Sequence, residues 1–202
     1  MAGLISSQAT VLLLLMCCVG SSMAVFFSSL PKTLIVTASP TPGQALYAGV
    51  DQINVTWSLN QSLPAGADSA YKKVKLLLCY PPVSQADRPW RKTEDHLQKD
   101  KTCQFKMVVQ PYGRATRGSY VYTIERSIPT GTYFVRAYAL DADDTQVAYG
   151  QTTDAKKTAN LFDVVGISGR HASLDIAAAS FSAFAVVALV FFFMLEKRKG
   201  KK

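Results

Sequence analysis

The side chains that could do chemistry in this chain are few. His96 and His171 are its only imidazoles, and Cys17, Cys18, Cys79 and Cys103 its only thiols. A nucleophilic triad needs a Ser or Cys paired with a base that a third group orients. No G-x-S-x-G elbow, H-E-x-x-H helix or phosphate-cradling glycine loop is present. Zinc wants a tetrahedral ligand set, and neither histidine lies at ligand spacing from a cysteine. Asp141, Asp143 and Asp144 could approach calcium, but their loop lacks the EF-hand glycine and has Thr152 where the distal Glu belongs. A solvated turn is the plainer reading of that loop. Glu94 and Asp95 are sequence neighbours, not two carboxylates set apart across a glycosidic bond. An enzyme, a cofactor and a metal centre are therefore not expected.

Other residues carry modification and contact chemistry. Cys17 and Cys18 lie in an apolar N-terminal run, which leaves Cys79 and Cys103 as an even pair for an oxidising compartment. A disulfide between them would close a loop of about 25 residues and contribute about 3 kcal/mol in the chain-entropy picture. Asn54-Val55-Thr56 and Asn60-Gln61-Ser62 match the N-glycosylation sequon. Asn54 is out of phase with Ile53, Val55 and Trp57, so it faces solvent if those face a core. Between the two cysteines runs a long charged segment, residues 81–102. Its stretch from Pro89 to Lys101 could form a short helix with Trp90 and Leu97 on one face. Such a segment is either a binding loop on a rigid scaffold or a solvated excursion with one aromatic tucked in.

The elements that position these residues are framed by two apolar segments. The chain is 49% hydrophobic but only 18% charged, against roughly 25% in ordinary soluble domains. Residues 4–19 contain the apolar run Val11 to Val19 and are followed by Ser22 and Ala24 at the −3 and −1 positions of a small-residue cleavage site. They read as a signal peptide, residues 1–24. Residues 176–195 hold no ionisable group and would span about 30 Å as a helix. Five cations follow in residues 196–202, which argues against a GPI signal and places the tail in the cytoplasm. The expected protein is a single-pass type I membrane protein with its N-terminal domain outside, a short stalk at 171–175, a transmembrane helix at 176–195 and a basic tail.

The net charge of +8 then divides evenly. Residues 25–175 carry 17 basic and 13 acidic groups (+4), and the tail carries 5 and 1 (+4). The tail is positioned to meet anionic lipid, and nucleic acid is not an expected partner.

The outer part, residues 25–170, reads as one all-β domain. Period-2 alternation recurs in short runs: residues 33–38, 51–59, 71–80, 103–110, 119–125, 131–140, 147–149 and 161–166. Turn residues separate them. An immunoglobulin-like or fibronectin-III-like β-sandwich follows, with Trp57 buried on an early strand.

Several blocks together resemble a known family. They are Phe26 to Pro40, Ala48 to Asn60 (AGVDQINVTWSLN), Trp90-Arg91-Lys92 with Lys99-Asp100-Lys101-Thr102-Cys103-Gln104-Phe105-Lys106, Val135 to Asp141, and the span with its basic tail. The chain resembles the plant high-affinity nitrate transporter-activating proteins, the small partner of a two-component nitrate uptake system. That resemblance implies a non-catalytic accessory subunit at the plasma membrane. It implies as partner a high-affinity nitrate transporter of the major facilitator superfamily. Matched to the family's block before the second cysteine, Arg91 and Asp100 are the implied partner-binding residues, with Trp90, Lys92, Lys99 and Lys101 beside them. The alternative from the residues alone is a cell-surface receptor or adhesion module binding a wall glycan or a secreted ligand.

Overall fold

In the computed structural model, which describes residues 25–113 and 117–199, the alternating runs become strands. Residues 1–24, expected to be a signal peptide, and the tail end 200–202 lie outside the described residues. The strands are β1 (Leu34–Ala38), β2 (Ala45–Tyr47), β3 (Gln52–Leu59), β4 (Lys73–Cys79), β5 (Phe105–Pro111), β6 (Arg117–Thr123), β7 (Gly131–Leu140), β8 (Gln146–Gln151) and β9 (Phe162–Val165). One helix follows, α1 (Ala172–Lys199). It begins before the apolar span, so the expected stalk is helical from Ala172 onward.

Two sheets face each other. The smaller has the order β1-β3-β6, and the larger β2-β9-β7-β4-β5 with β8 also on β7. β9 and β8 share one edge of β7, pairing with Gly131–Tyr133 and Arg136–Leu140 respectively. β2 lies parallel to β9. It is a three-residue strand too short for its alternation to register, and the sequence reading missed it. Before entering the small sheet, the chain first bridges to the large one: Lys32 pairs in parallel with Tyr149. At that crossing a Cβ on Gly150 would collide with the backbone carbonyl of Leu34, so only glycine fits.

The inward residues agree with the alternation. Ile53, Val55 and Trp57 of the small sheet meet Val74, Leu76, Leu78, Tyr133, Val135 and Ala137 of the large one. The indole of Trp57 lies where a side chain at position 118 would have to go, which explains Gly118. One run departs from its expected phase. Phe105 and Met107 face inward in step with the alternation, but a register shift between Leu76 and Leu77 leaves Met107 unpaired and brings Val108 to the core in place of Val109, which is exposed.

The large sheet is also covered on its outer face. Leu77, Cys79, Phe134, Tyr138 and Leu140 form a second apolar cluster there, capped by Phe27, Leu30, Leu97, Cys103, Tyr149 and Leu161. This makes β7 buried on both faces, the condition under which a strand reads as a continuous apolar run.

A buried polar bracket behind an exposed segment

The segment between the cysteines is closed at its neck. Cys79 and Cys103 are joined as a disulfide, and the Tyr80 N–H donates to the Thr102 carbonyl at 2.8 Å. Two 3-10 turns, Pro82–Ser84 and Pro89–Arg91, start the excursion. The Ser84 hydroxyl donates to the Thr132 carbonyl at 2.9 Å and accepts from the Thr132 N–H at 3.0 Å. It thereby docks the first turn onto the start of β7.

The expected helix across Pro89–Lys101 does not form. Its backbone donors go elsewhere: Leu97 N–H to the Val25 carbonyl, Lys101 N–H to the Lys92 carbonyl, and Glu94 N–H at 3.2 Å to Asp100 Oδ1, which also accepts the N–H of Thr102 at 3.0 Å and the Thr102 hydroxyl at 2.6 Å. Local carboxylate bonds of this kind compete with helical ones. Trp90 and Leu97 consequently part company. Leu97 packs on the outer cluster, whereas Trp90 is 61% exposed.

The two residues singled out by the family resemblance point inward. Arg91 is only 6% exposed. Its Nη1 donates to the Ser84 carbonyl at 3.1 Å, and its guanidinium lies over the Tyr80 ring, 4.0 Å from the centroid. Among the described residues its Nε has no partner. Tyr133 sits close by. Burial, then its bond to Tyr80, push the Tyr133 phenol up, and Arg91 pulls the other way. The Asp100 side chain is 6% exposed, and its Oδ2 stands 4.0 Å from Arg136 Nη1.

Arg136 was not singled out by the sequence reading. It is 1% exposed, on the outer face of β7 between Phe134 and Tyr138. Its Nε and Nη2 donate to Gln151 Oε1 at 3.3 and 3.1 Å, and its Nη1 donates to the Tyr138 hydroxyl at 3.1 Å. The Phe27 ring lies over it at 4.3 Å. Lys157 is close as well: its burial first, and then Arg136, hold its ammonium below the usual lysine range, while Asp100 opposes them. A cation centred in an apolar strand was the available signal, since a buried Arg requires an acidic or polar partner. Which carboxylate would meet it could not be read from the spacing.

The chain's described start completes the layer. Phe27 N–H donates to the Asp95 carbonyl at 2.7 Å, and Ser28 donates through its N–H and its hydroxyl to the Asp95 carboxylate, both at 2.8 Å. Leu97 N–H donates to the Val25 carbonyl at 3.0 Å. Phe26 meets His96 edge to face at 5.6 Å. What the bracket leaves outside is Trp90, Lys92, Lys99 and Lys101, all exposed. Lys92 pairs with Glu94 at 2.7 Å, and that bond lowers the Glu94 carboxyl. The arrangement is a rigid, basic, aromatic-tipped surface with no bond-making constellation in it.

Elsewhere, Asp141 Oδ1 accepts the N–H of Asp143 and Thr145, and Lys73 pairs with Asp144 at 2.7 Å. The acidic triplet is thus a hydrogen-bonded hairpin turn. Asn54 is exposed on the outer face of the small sheet.

Fold and site together define an immunoglobulin-like module joined, among the described residues, to one helix long and apolar enough to cross a membrane. The family described as "NAR2: High-affinity nitrate transporter accessory, Ig-like domain" matches residues 27–169, and the chain belongs to it. It is 56% identical to the "High-affinity nitrate transporter-activating protein 2.1" of Oryza sativa subsp. japonica, over 88% of this chain and 84% of that one. It is 54% identical to the "High-affinity nitrate transporter 3.1" of Arabidopsis thaliana, over 90% and 88%. It is also 52% identical to the rice "Probable high-affinity nitrate transporter-activating protein 2.2", over 87% and 82%.

Proposed function

We propose that this chain is a non-catalytic accessory subunit that binds a high-affinity nitrate transporter of the major facilitator superfamily and activates or stabilises it at the plasma membrane. The observation that carries this reading is identity above one half, over most of the chain, to proteins named as high-affinity nitrate transporter-activating proteins. In this reading residues 1–24 are removed as a signal peptide, the β-domain lies outside, α1 crosses the bilayer and the basic tail stays in the cytoplasm. N-glycans are proposed at Asn54 and Asn60, away from the segment between the cysteines.

The placement of residues 81–102 supports contact through that segment. β4 ends, β5 begins and β7 begins at one end of the large sheet, the end at which β9 finishes. β9 leads directly to α1. A segment hung from that end stays near the bilayer, where a multi-pass partner presents its outer loops. Trp90 offers an amphipathic anchor, and Lys92, Lys99 and Lys101 steer toward carboxylates. Arg91 and Asp100 serve the contact from behind, by fixing the course of the backbone that carries these four. A subunit of this kind shifts its partner only by binding one of the partner's states more tightly than another.

Nitrate influx in oocytes tests this function. Influx is expected with transporter and accessory chain together, and little with either alone. Full influx from the transporter alone, unchanged by this chain, overturns it.

A further inference from the structure

The end of the domain from which the chain descends to α1 carries an exposed apolar patch on the edge away from Trp90. Tyr47, the last residue of β2, pairs with Val165, the last residue of β9, and both side chains are exposed. Val50 follows on a tight turn and is 74% exposed, and Ile167, two residues past β9, is 59% exposed. The turn is rigid. Val50 N–H and Asp51 N–H both donate to the Tyr47 carbonyl, at 3.2 and 3.0 Å, and Asp51 Oδ2 accepts the Tyr47 N–H at 2.6 Å. Gly49, at φ +82°, donates to the Ile124 carbonyl at 2.7 Å and makes the sharp bend that pushes Val50 outward. The Asp51 carboxylate is thereby turned onto the backbone, and the exposed cation Arg126 passes over Gly49.

We infer that this patch rests in the headgroup layer of the outer leaflet. The inference takes α1 as membrane-spanning but does not depend on the transporter. The tether is short: seven Cα steps separate Val165 from Ala172 and reach at most about 25 Å. Residues 172–175 rise about 6 Å along the helix before the apolar span starts, which is about the thickness of the headgroup layer. The end of β9 is therefore confined near that layer. What it presents there is a tyrosine, three aliphatic side chains and an arginine, the composition that partitions into a membrane interface. A soluble surface has little reason to hold a rigid turn with an aliphatic tip fully in water. Lipid contact at this edge would also leave the edge carrying Trp90 free for a protein partner.

Tryptophan quenching in vesicles tests this. The full chain, without transporter, is placed in phosphatidylcholine vesicles whose acyl chains are brominated near the headgroup. Two variants in a Trp90→Phe background carry the probe: Val50→Trp at the patch and Asp143→Trp at the opposite end of the domain. Trp57 is buried in the sandwich and contributes the same signal to both. The expected result is a several-fold larger loss of emission from Val50→Trp than from Asp143→Trp, with a blue-shifted spectrum. Tyr47→Trp is expected to repeat it and serves if Val50→Trp does not fold. Equal or absent quenching at the two ends overturns the inference. So does a patch probe that stays unquenched in lipid but becomes shielded from aqueous iodide when the transporter is added, which would assign the patch to a protein. Either of those outcomes leaves the accessory function intact.

Discussion

The two faces of the large sheet are built on different principles. Its inner face is apolar: Val74, Leu76, Leu78, Val135 and Ala137 meet the small sheet with almost no polar atoms among them. Its outer face buries Arg136, Asp100 and Thr102 beside the disulfide and four core hydrophobes, while Arg91 lies over Tyr80 at the end of the inner cluster. The inner face follows from non-directional burial, which tolerates substitution as long as volume is kept. The outer face depends on directional bonds, and each of them constrains where the exposed segment runs. Two jobs are thus separated in space. One face holds the domain together, and the other sets the shape of a surface that a partner meets.

That division can be broken first at Asp100. Its carboxylate accepts three bonds and faces Arg136, so Asp100→Ala leaves a buried cation without its counter-charge at a cost of about 3–5 kcal/mol. Chemical denaturation is expected to show that loss, together with failure to co-purify the transporter. Loss of co-purification with no change in stability would show instead that Asp100 touches the partner directly. Replacing Cys79 and Cys103 together by Ser is expected to cost about 3 kcal/mol. Limited proteolysis should then cut within residues 81–102 before the rest of the domain.

On the inner face, Ile53→Val is expected to cost about 1 kcal/mol in thermal unfolding and leave co-purification unchanged. Reduced co-purification there would erase the distinction between the faces. Reversing Lys92, Lys99 and Lys101 to Glu is expected to change stability by less than about 0.5 kcal/mol while weakening co-purification and its salt dependence. The smallest effect is expected from acid. The Thr158 N–H, followed by that of Ala159 and the Thr158 and Thr153 hydroxyls, lowers the Asp154 carboxyl to about 2. Its folded pKa is depressed, so its contribution is present at neutral pH and is lost as pH falls from about 4 toward about 2. Asp154→Asn should flatten the acid limb of the melting profile within that window only.

The inner face was legible because alternation reports it locally. Ile53, Val55 and Trp57 needed no knowledge of any distant residue to be placed inward. Gly131–Leu140 was legible as a strand but not as one covered twice, because Phe134, Arg136 and Tyr138 find their cover in residues 25–30 and 93–103, far off in the chain. The same distance hid the Arg136–Asp100 pairing. Trp90 and Leu97 were placed on one helical face because spacing alone favours a helix there, but Asp100 takes the Glu94 N–H and the Val25 carbonyl takes that of Leu97. The family resemblance marked Arg91 and Asp100 without saying which way they point.

Site-specific photocross-linking tests the central claim most directly. A photoreactive side chain replaces Lys92 beside the bracket, or Thr123 on the small sheet, in a chain co-expressed with the nitrate transporter. The account expects a covalent adduct with the transporter from position 92 and none from position 123. Adducts from position 123 alone would contradict it, and would move the contact surface to the opposite face of the domain.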